Sequence, residues 1–225
     1  YTAFKADRPA DGVLRLTIDT GHKNNGINHA NHHEFGEVWR DVAVEPDTRA
    51  VLVRGVDGIF CGGGDPSFLP PLVDSADRRI AVHEDIRTLV YNLLNCPVPI
   101  VTALEGLCTG GGLAVALMAD VTIAANNARI IDSHVMVGLA CGDHAAYWPL
   151  MMGMPKAKYH LLTASPLSGA EARDAGLVAL SVPSEQLHAT ALETATHIAS
   201  LPAEAIRLTK RSLNSWYQLG HGAFE

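Results

Sequence analysis

The sequence predicts an α/β fold, because short apolar segments alternate with helical segments along most of the chain. Val13–Ile18, Ala50–Arg54 and Ile100–Leu104 are rich in β-branched and aliphatic residues, which is typical of buried strands. A triple-glycine tract follows the second strand, and another follows the third. Strands alternating with helices predict a largely parallel sheet with helices packed on its faces.

The other elements follow from apolar spacing and from residues that break regular structure. Segments 29–44 and 80–94 have the spacing of amphipathic helices, and a third helix runs from the second glycine tract to residue 119. A short buried strand is predicted over 121–124. Segment 66–77 contains consecutive prolines and is expected to be an irregular, mobile loop.

The final third of the chain is predicted to be entirely helical. Ser168 and Glu171 have the spacing of a capping box that opens a short helix, and Gly176 is placed to end it. Segments 186–201 and 203–217 are further helices. We therefore divide the chain into an α/β core over 1–165, which contains both glycine turns, and a helical region over 166–225.

Composition excludes several classes of protein. The 225 residues are 48% hydrophobic and 18% charged, enough to bury a core, and the net charge of −7 argues against a nucleic-acid partner. None of the four cysteines forms a C-x-x-C pair, which favours a reduced, cytoplasmic protein. No apolar stretch reaches the roughly 18 residues of a membrane span. The histidines within 29–33 lack a cysteine or carboxylate to complete a ligand set, so we expect no metal site.

The two glycine tracts are candidates for an anion-stabilising site. They comprise residues 62–64 and 110–112. Glycine lets backbone N–H groups approach a ligand closely, and N–H groups at a helix start are unpaired donors. Two such groups converging on one oxygen form an oxyanion hole, whereas the alternative is two tight turns that require positive φ.

His134 and Asp143 are the candidate acid–base residues. They flank an apolar segment of eight residues, and each belongs to a short polar motif. An aspartate beside a histidine fixes the tautomer of the imidazole and raises its basicity. The alternative is that both are ordinary polar loop residues.

Four motifs in order resemble the crotonase superfamily, also called the enoyl-CoA hydratase/isomerase family. The segments 19–28, 60–65 and 106–120 are similar to its N-R-P-x-x-x-N-A-L-N, F-x-A-G-A-D and G-x-x-x-G-G-G-x-x-L-x-x-x-x-D motifs. Segment 166–178 resembles its A-x-x-x-G-L-V region. The resemblance implies a repeated ββα superhelix whose C-terminal helices build a homotrimer or hexamer. It also implies an oxyanion hole made by the amides of Gly62 and Gly111.

The resemblance also implies where a substrate binds and which catalytic groups are missing. Hydratases of this family carry two glutamates, and this chain has Ala114 and His134 at those positions. No cofactor is expected, and coenzyme A enters only as part of a thioester substrate. Its phosphates are expected near Lys23, with Lys210 or Arg211 of a neighbouring subunit as further contacts. The expected substrate contacts are Lys23, Phe60, Gly63, Asp65 and Gly110.

Three functions remain open from the sequence. A histidine followed nine residues later by an aspartate resembles the family's β-diketone hydrolases, in which an activated water cleaves a C–C bond. This is our first hypothesis, with His134 and Asp143 as the pair. The second is an enoyl-CoA hydratase or isomerase with altered acid–base residues, and members with an acid near Asp143 include dienoyl isomerases and aryl-CoA dehalogenases. The third is a non-catalytic subunit of the same fold.

Overall fold

A computed structural model describes residues 1–68, 70–217 and 220. Its larger sheet has six strands in the order β1-β2-β3-β5-β7-β10, and all neighbours are parallel except β1 and β2. These strands are β1 (Phe4–Ala10), β2 (Val13–Ile18), β3 (Ala50–Arg54), β5 (Ile100–Leu104), β7 (Val121–Ala125) and β10 (Leu180–Val182). The strands predicted over 13–18, 50–54 and 100–104 are confirmed, and that over 121–124 extends by one residue.

A second, smaller sheet lies at the position of the glycine tracts. It has the order β4-β6-β8-β9, formed by β4 (Cys61–Gly62), β6 (Leu107–Thr109), β8 (Arg129–Ile130) and β9 (Leu167–Ser168). After β3 the chain enters the small sheet as β4, and after β5 it enters the same sheet as β6; each of these two strands is followed by a glycine turn. Because β4 and β6 are parallel neighbours, with Cys61 opposite Cys108, the two turns leave the same edge of the sheet side by side.

Helices cover the sheets; those predicted from the sequence are present with shifted ends, whereas the helices over 70–74 and 142–163 were not predicted. They are α1 (Glu34–Val44), α2 (Pro70–Asp74), α3 (Ala76–Asn95), α4 (Gly110–Met118), α5 (Gly142–Met152), α6 (Met154–Thr163), α7 (Gly169–Ala175), α8 (Ser184–Ser200) and α9 (Ala203–Asn214). The capping box is confirmed: the Ser168 hydroxyl accepts from the Glu171 N–H, and Glu171 bonds back to Ser168. Gly176 ends α7 in the left-handed conformation, as predicted.

Two predictions about local structure are wrong here. Helix α1 begins at Glu34 instead of 29, because residues 29–33 form turns held by the Asn28 and Asn31 side chains. The segment 66–77 is not wholly irregular, since Pro70 opens α2 and α3 begins at Ala76, consistent with the tolerance of proline in a first helical turn. Leu69 lies outside the described residues.

The region after 165 is not entirely helical. It contributes β9 to the small sheet and β10 to the large one, where Leu180 pairs with Ile123. These strands are only two and three residues long, too short for periodicity to reveal. The predicted helical region over 166–225 also includes residues 218, 219 and 221–225, which are outside the described residues.

Candidate active site

The first glycine turn is fixed by a single parallel bridge between Ile27 and Gly64. The Ile27 N–H donates to the Gly63 carbonyl at 2.7 Å, and the Asp65 N–H donates to the Ile27 carbonyl at 2.8 Å. In such a bridge the middle residue turns its own N–H and C=O away from the partner strand. The Gly64 amide therefore faces away from Ile27, and it lies on the side of the second turn: a Cβ placed on Gly110 would be 3.8 Å from the Gly64 nitrogen.

The second glycine turn is the first turn of α4. Thr109 is the N-cap, Gly110 has a φ of 57°, and the following N–H groups have no carbonyl four residues back within the helix. The Gly112 N–H is satisfied by the thiol of Cys61, which also accepts from the Gly63 N–H. Gly111 is thus left with a free amide at the positive end of the helix dipole.

The amides of Gly62 and Gly111 stay the predicted pair, and Gly64 offers a further free amide. Gly62 lies opposite Thr109, and the neighbouring Cys108 accepts from the Ile131 N–H, so that Cys108 directs its N–H and C=O toward β8. The bonds between β6 and β4 at this point are therefore made by Thr109, and Gly62 turns its own N–H away from β6. The Gly62 backbone is closely packed, since a Cβ there would lie 2.6 Å from the Asn24 carbonyl oxygen. The assignments of Gly62 and Gly111 to an oxyanion hole stay predictions.

The Cys61 thiol is a structural acceptor and not a nucleophile. Burial raises the pKa of the thiol to about 11, although the two amides that donate to the sulfur oppose this. The thiol is therefore neutral near pH 7. Its position beneath both turns connects them through one atom.

The other expected substrate contacts serve mainly to hold the turns. Phe60 is fully buried in the hydrophobic core, so its side chain does not face a ligand, and its carbonyl accepts from Asn25 at 2.9 Å. Asp65 accepts from the Ser67 N–H and hydroxyl. Lys23 is exposed in a 3-10 helix, Lys23–Asn25, that contacts β4. Its role toward coenzyme A stays a prediction.

His134 is paired with Asp132 and not with Asp143. The Nδ1 atom of His134 lies 3.0 Å from Oδ1 of Asp132, and the same oxygen accepts the His134 N–H at 2.9 Å. Asp132 is completely buried, whereas 26% of the His134 side chain is exposed. The expected His134–Asp143 pair is therefore corrected: the orienting carboxylate comes from two residues upstream.

Asp143 instead faces a second histidine, the adjacent His144. The His144 ring is fully buried; its Nδ1 bonds the other oxygen of Asp132, and its Nε2 lies 3.4 Å from Oδ2 of Asp143. Burial lowers the pKa of His144, but Asp143 and Asp132 outweigh it and raise that pKa overall. For Asp132, burial alone would raise the pKa. The hydrogen bonds from His134 and His144 outweigh burial and hold the pKa of Asp132 well below its usual range.

The polar cluster sits beside the glycine turns. Strand β8 pairs with β6, so that the Ile131 N–H donates to the Cys108 carbonyl at 3.2 Å. Ser133, next to His134, shares a 3.0 Å hydrogen bond with the hydroxyl of Thr109, the N-cap of α4. The residue that precedes His134 is thus bonded to the helix start that carries Gly111.

The position of the missing glutamate is apolar. Ala114 lies on α4 one turn after the free amide and is 1% exposed. The nearest partly exposed titratable side chain is His134, which directly follows Ser133, the residue bonded to the N-cap of α4.

Two further observations bear on the expected ligands. Asp132, His134 and His144 place three ligand-type atoms within 4.8 Å of one another, a set compatible with a metal ion. In the structure these atoms already hydrogen-bond one another, which accounts for the cluster without a metal ion.

Lys210 is not free to meet a phosphate, because it is 6% exposed and bonded to Asp120 at 2.7 Å and to the Val98 carbonyl at 2.9 Å.

The sequence analysis missed Asp132 and His144 as site residues. His144 follows Asp143 directly, and the Asp-x-His spacing of Asp132 and His134 was visible. Two parallel strands that end in glycine turns with free amides, and an imidazole–carboxylate pair after the neighbouring strand of the same sheet, are typical of a class of enzymes that stabilise a carbonyl-derived anion.

Comparison with known proteins gives the particular family. Residues 8–221 match the enoyl-CoA hydratase/isomerase family model, and the chain belongs to that family. It is 29% identical to 1,2-epoxyphenylacetyl-CoA isomerase of Escherichia coli over 91% of this chain and 79% of that protein. It is 27% identical to a probable enoyl-CoA hydratase of Rhodobacter capsulatus, over 92% and 79%.

The fold comparison agrees with the sequence comparison. A crystal structure of an enoyl-CoA hydratase/isomerase from Mycobacterium paratuberculosis superposes with a TM-score of 0.91 at 29% identity, covering 98% of this chain and 88% of that one. The predicted crotonase-like fold is therefore confirmed. None of the described helices has the length and apolar character required to cross a membrane.

Proposed function

We propose that this protein isomerises an acyl-CoA thioester through its enolate. The amides of Gly62 and Gly111 would bind the thioester oxygen, and the imidazole of His134 would remove a proton from the carbon chain. The electron pair of that C–H bond moves toward the carbonyl, and the negative charge develops on the oxygen held by the two amides. The proton then returns to a different carbon.

The observation that carries the proposal is the combination of two free amides with a single acid–base pair. Each amide donor is worth about 3 kcal/mol of transition-state stabilisation in comparable sites. Asp132 holds His134 in the tautomer whose Nε2 is the free base. Hydration requires one group to activate water and another to protonate the substrate, and Ala114 offers nothing for the second task.

The relatives support a thioester substrate. The names of the two matched proteins describe an isomerase and a probable hydratase of coenzyme A esters. The hydratase and the isomerase share the enolate and its oxyanion hole, and they differ in whether water is added.

Exchange of substrate protons tests the enolate directly. The protein is incubated with a saturated or 3-unsaturated acyl-CoA in D₂O, and loss of the α-proton signal is followed by NMR. His134→Ala should slow exchange by about 10²–10⁴-fold while retaining thioester binding. His197→Ala, which removes an exposed imidazole on α8, is the control. Exchange that is unaffected by His134→Ala would refute the assigned base.

A second function is favoured by the His134–Asp132 pair alone. An imidazole oriented by a buried carboxylate also suits activation of water, which could attack one carbonyl of a β-dicarbonyl and expel an enolate by C–C cleavage. Assaying a cyclic β-diketone, crotonyl-CoA and a 3-enoyl-CoA side by side separates the reactions. Cleavage of the diketone without turnover of either thioester would replace the isomerase proposal.

A further inference from the structure

The buried histidine behind Asp132 has no part in the proposed proton transfer, yet its position is unusual. Both ring nitrogens of His144 face carboxylates, Asp132 at Nδ1 and Asp143 at Nε2. A neutral imidazole carries one N–H and would turn a lone pair toward one of these anions. The arrangement therefore suits the imidazolium, which donates to Asp132 from Nδ1 and places its positive Nε2 side 3.4 Å from Asp143 Oδ2, an ion-pair contact without a hydrogen bond.

We propose that His144 is a charged positioning residue, which anchors Asp132 against His134 and tempers the affinity of the His134 ring for protons. This inference rests on the proposed role of His134 as the base. The order of groups is Asp143, His144, Asp132 and His134, running from the buried start of α5 to the partly exposed ring.

The charge balance explains why a cation is needed at this depth. Asp132 and Asp143 are both buried, and two unpaired carboxylates there would repel each other and lose their hydration. His144 neutralises one of the two charges from a position between them. Asp132 then accepts from both rings, one at each oxygen, so that its orientation toward His134 is fixed.

No other charged group competes at this site among the described residues. Asp143 and Asp132 are the charges that act on the His144 ring. Cys141 precedes α5 and Tyr147 lies within it; burial raises the pKa of the thiol to about 11 and that of the phenol to about 12, so both are neutral near pH 7. Trp148, whose ring centroid lies 5.7 Å from that of His144, carries no charge.

Removing the charge on His144 should be felt by His134. The ring centroids are 5.7 Å apart, a distance at which a unit charge shifts a titration by about one pH unit in a partly screened site. In His144→Asn the amide still donates to Asp132, but the positive charge is gone. The more negative surroundings favour protonated His134, so its titration midpoint should move upward by about one pH unit.

The test is an NMR titration of the His134 ring in the wild type, in His144→Asn and in the control His197→Asn. An upward shift in the first variant and none in the control supports the inference; an unchanged midpoint overturns it. If His144→Asn does not fold, ¹⁵N shifts of the His144 ring in the wild type decide: both nitrogens protonated near pH 7.5 supports the proposal, and a neutral ring refutes it.

This readout does not depend on turnover, so failure of the proposed isomerase leaves it intact. If the protein also isomerises the thioester, the rise of the rate with pH should occur about one pH unit higher in His144→Asn than in the wild type, because a larger fraction of His134 is protonated at neutral pH in the variant. A variant that lowers the rate equally at every pH would show a merely structural role.

Discussion

Gly112→Ala should disrupt the contact on which both glycine turns depend. A Cβ on Gly112 would lie 2.1 Å from the Cβ of Cys61 and 2.6 Å from its sulfur. Carbon atoms in contact are normally about 3.5–4.0 Å apart, so β4 and α4 must separate by roughly 1.5 Å. Neither Cβ can rotate away, because the backbone fixes both.

The loss of unfolding free energy in Gly112→Ala is the cost of overpacking minus the gain in helix propensity. Overpacking a core usually costs about 1–3 kcal/mol and occasionally more, whereas alanine in place of a helical glycine recovers up to about 1 kcal/mol. Because two backbone-fixed atoms collide, we expect a net loss of about 2–3 kcal/mol. In a protein of this size, that lowers the melting temperature by about 4–12 °C.

Urea unfolding of five proteins checks this value. The variant Gly112→Ala is compared with the wild type and with Gly111→Ala, whose new Cβ meets only the Cδ1 tips of Ile27 and Ile86, at 3.1 and 3.9 Å. Adding Cys61→Gly to Gly112→Ala should recover stability, because it removes the colliding atom. Combining Gly112→Ala with Cys61→Ala should not recover stability, because alanine keeps the Cβ at position 61.

Two outcomes would refute the reasoning. If Gly112→Ala were as stable as the wild type, the close approach of β4 and α4 would not exist in solution. If Cys61→Ala rescued it as well as Cys61→Gly, the sulfur and not the Cβ would be the colliding atom.

Two other expectations concern the C-terminal helices. Lys210→Met removes the buried cation paired with the partly exposed Asp120 carboxylate and should cost about 1–3 kcal/mol near pH 7 by urea unfolding, against little for the exposed Lys158→Met. Loss of solvent contact raises the pKa of Asp120 despite Lys210, so protonation of this carboxyl becomes easier in the fold and the loss should shrink at pH 5; an equal loss at both values would argue against the ion pair. The side chains of Leu213 and Trp216 are exposed on the C-terminal helical segment. Because exposed apolar side chains favour subunit contacts, we expect light scattering to show a trimer or hexamer that Leu213→Glu dissociates. A monomeric wild type at micromolar concentration would contradict this.

Much of the fold and part of the site follow from the sequence alone. The central strands β3 and β5 of the large sheet are continuous apolar segments, as expected for strands covered on both faces. The capping box depends on residues three apart, Ser168 and Glu171, so it too is encoded locally. The glycine tracts marked the two turns, and the motif with His134 marked the acid–base group.

Tertiary structure decided which atoms of those segments meet. Which amides of the first glycine tract are free depends on the register of β4 against β6 and on the bridge to Ile27, and a run of three glycines does not by itself indicate that register. Short strands such as β9 and β10 exist because a partner strand supplies their hydrogen bonds.

The partner of His134 shows the same division most clearly. Asp132 and Asp143 are both close to His134 in sequence, and either could orient an imidazole. The start of α5 brings the ring of His144 between the two carboxylates, so that Asp143 faces His144 alone, whereas Asp132 bonds both His144 and His134. The sequence determined that two histidines and two aspartates lie near one turn; the direction of each side chain, which decides the pairs, is set by packing between elements distant in the chain.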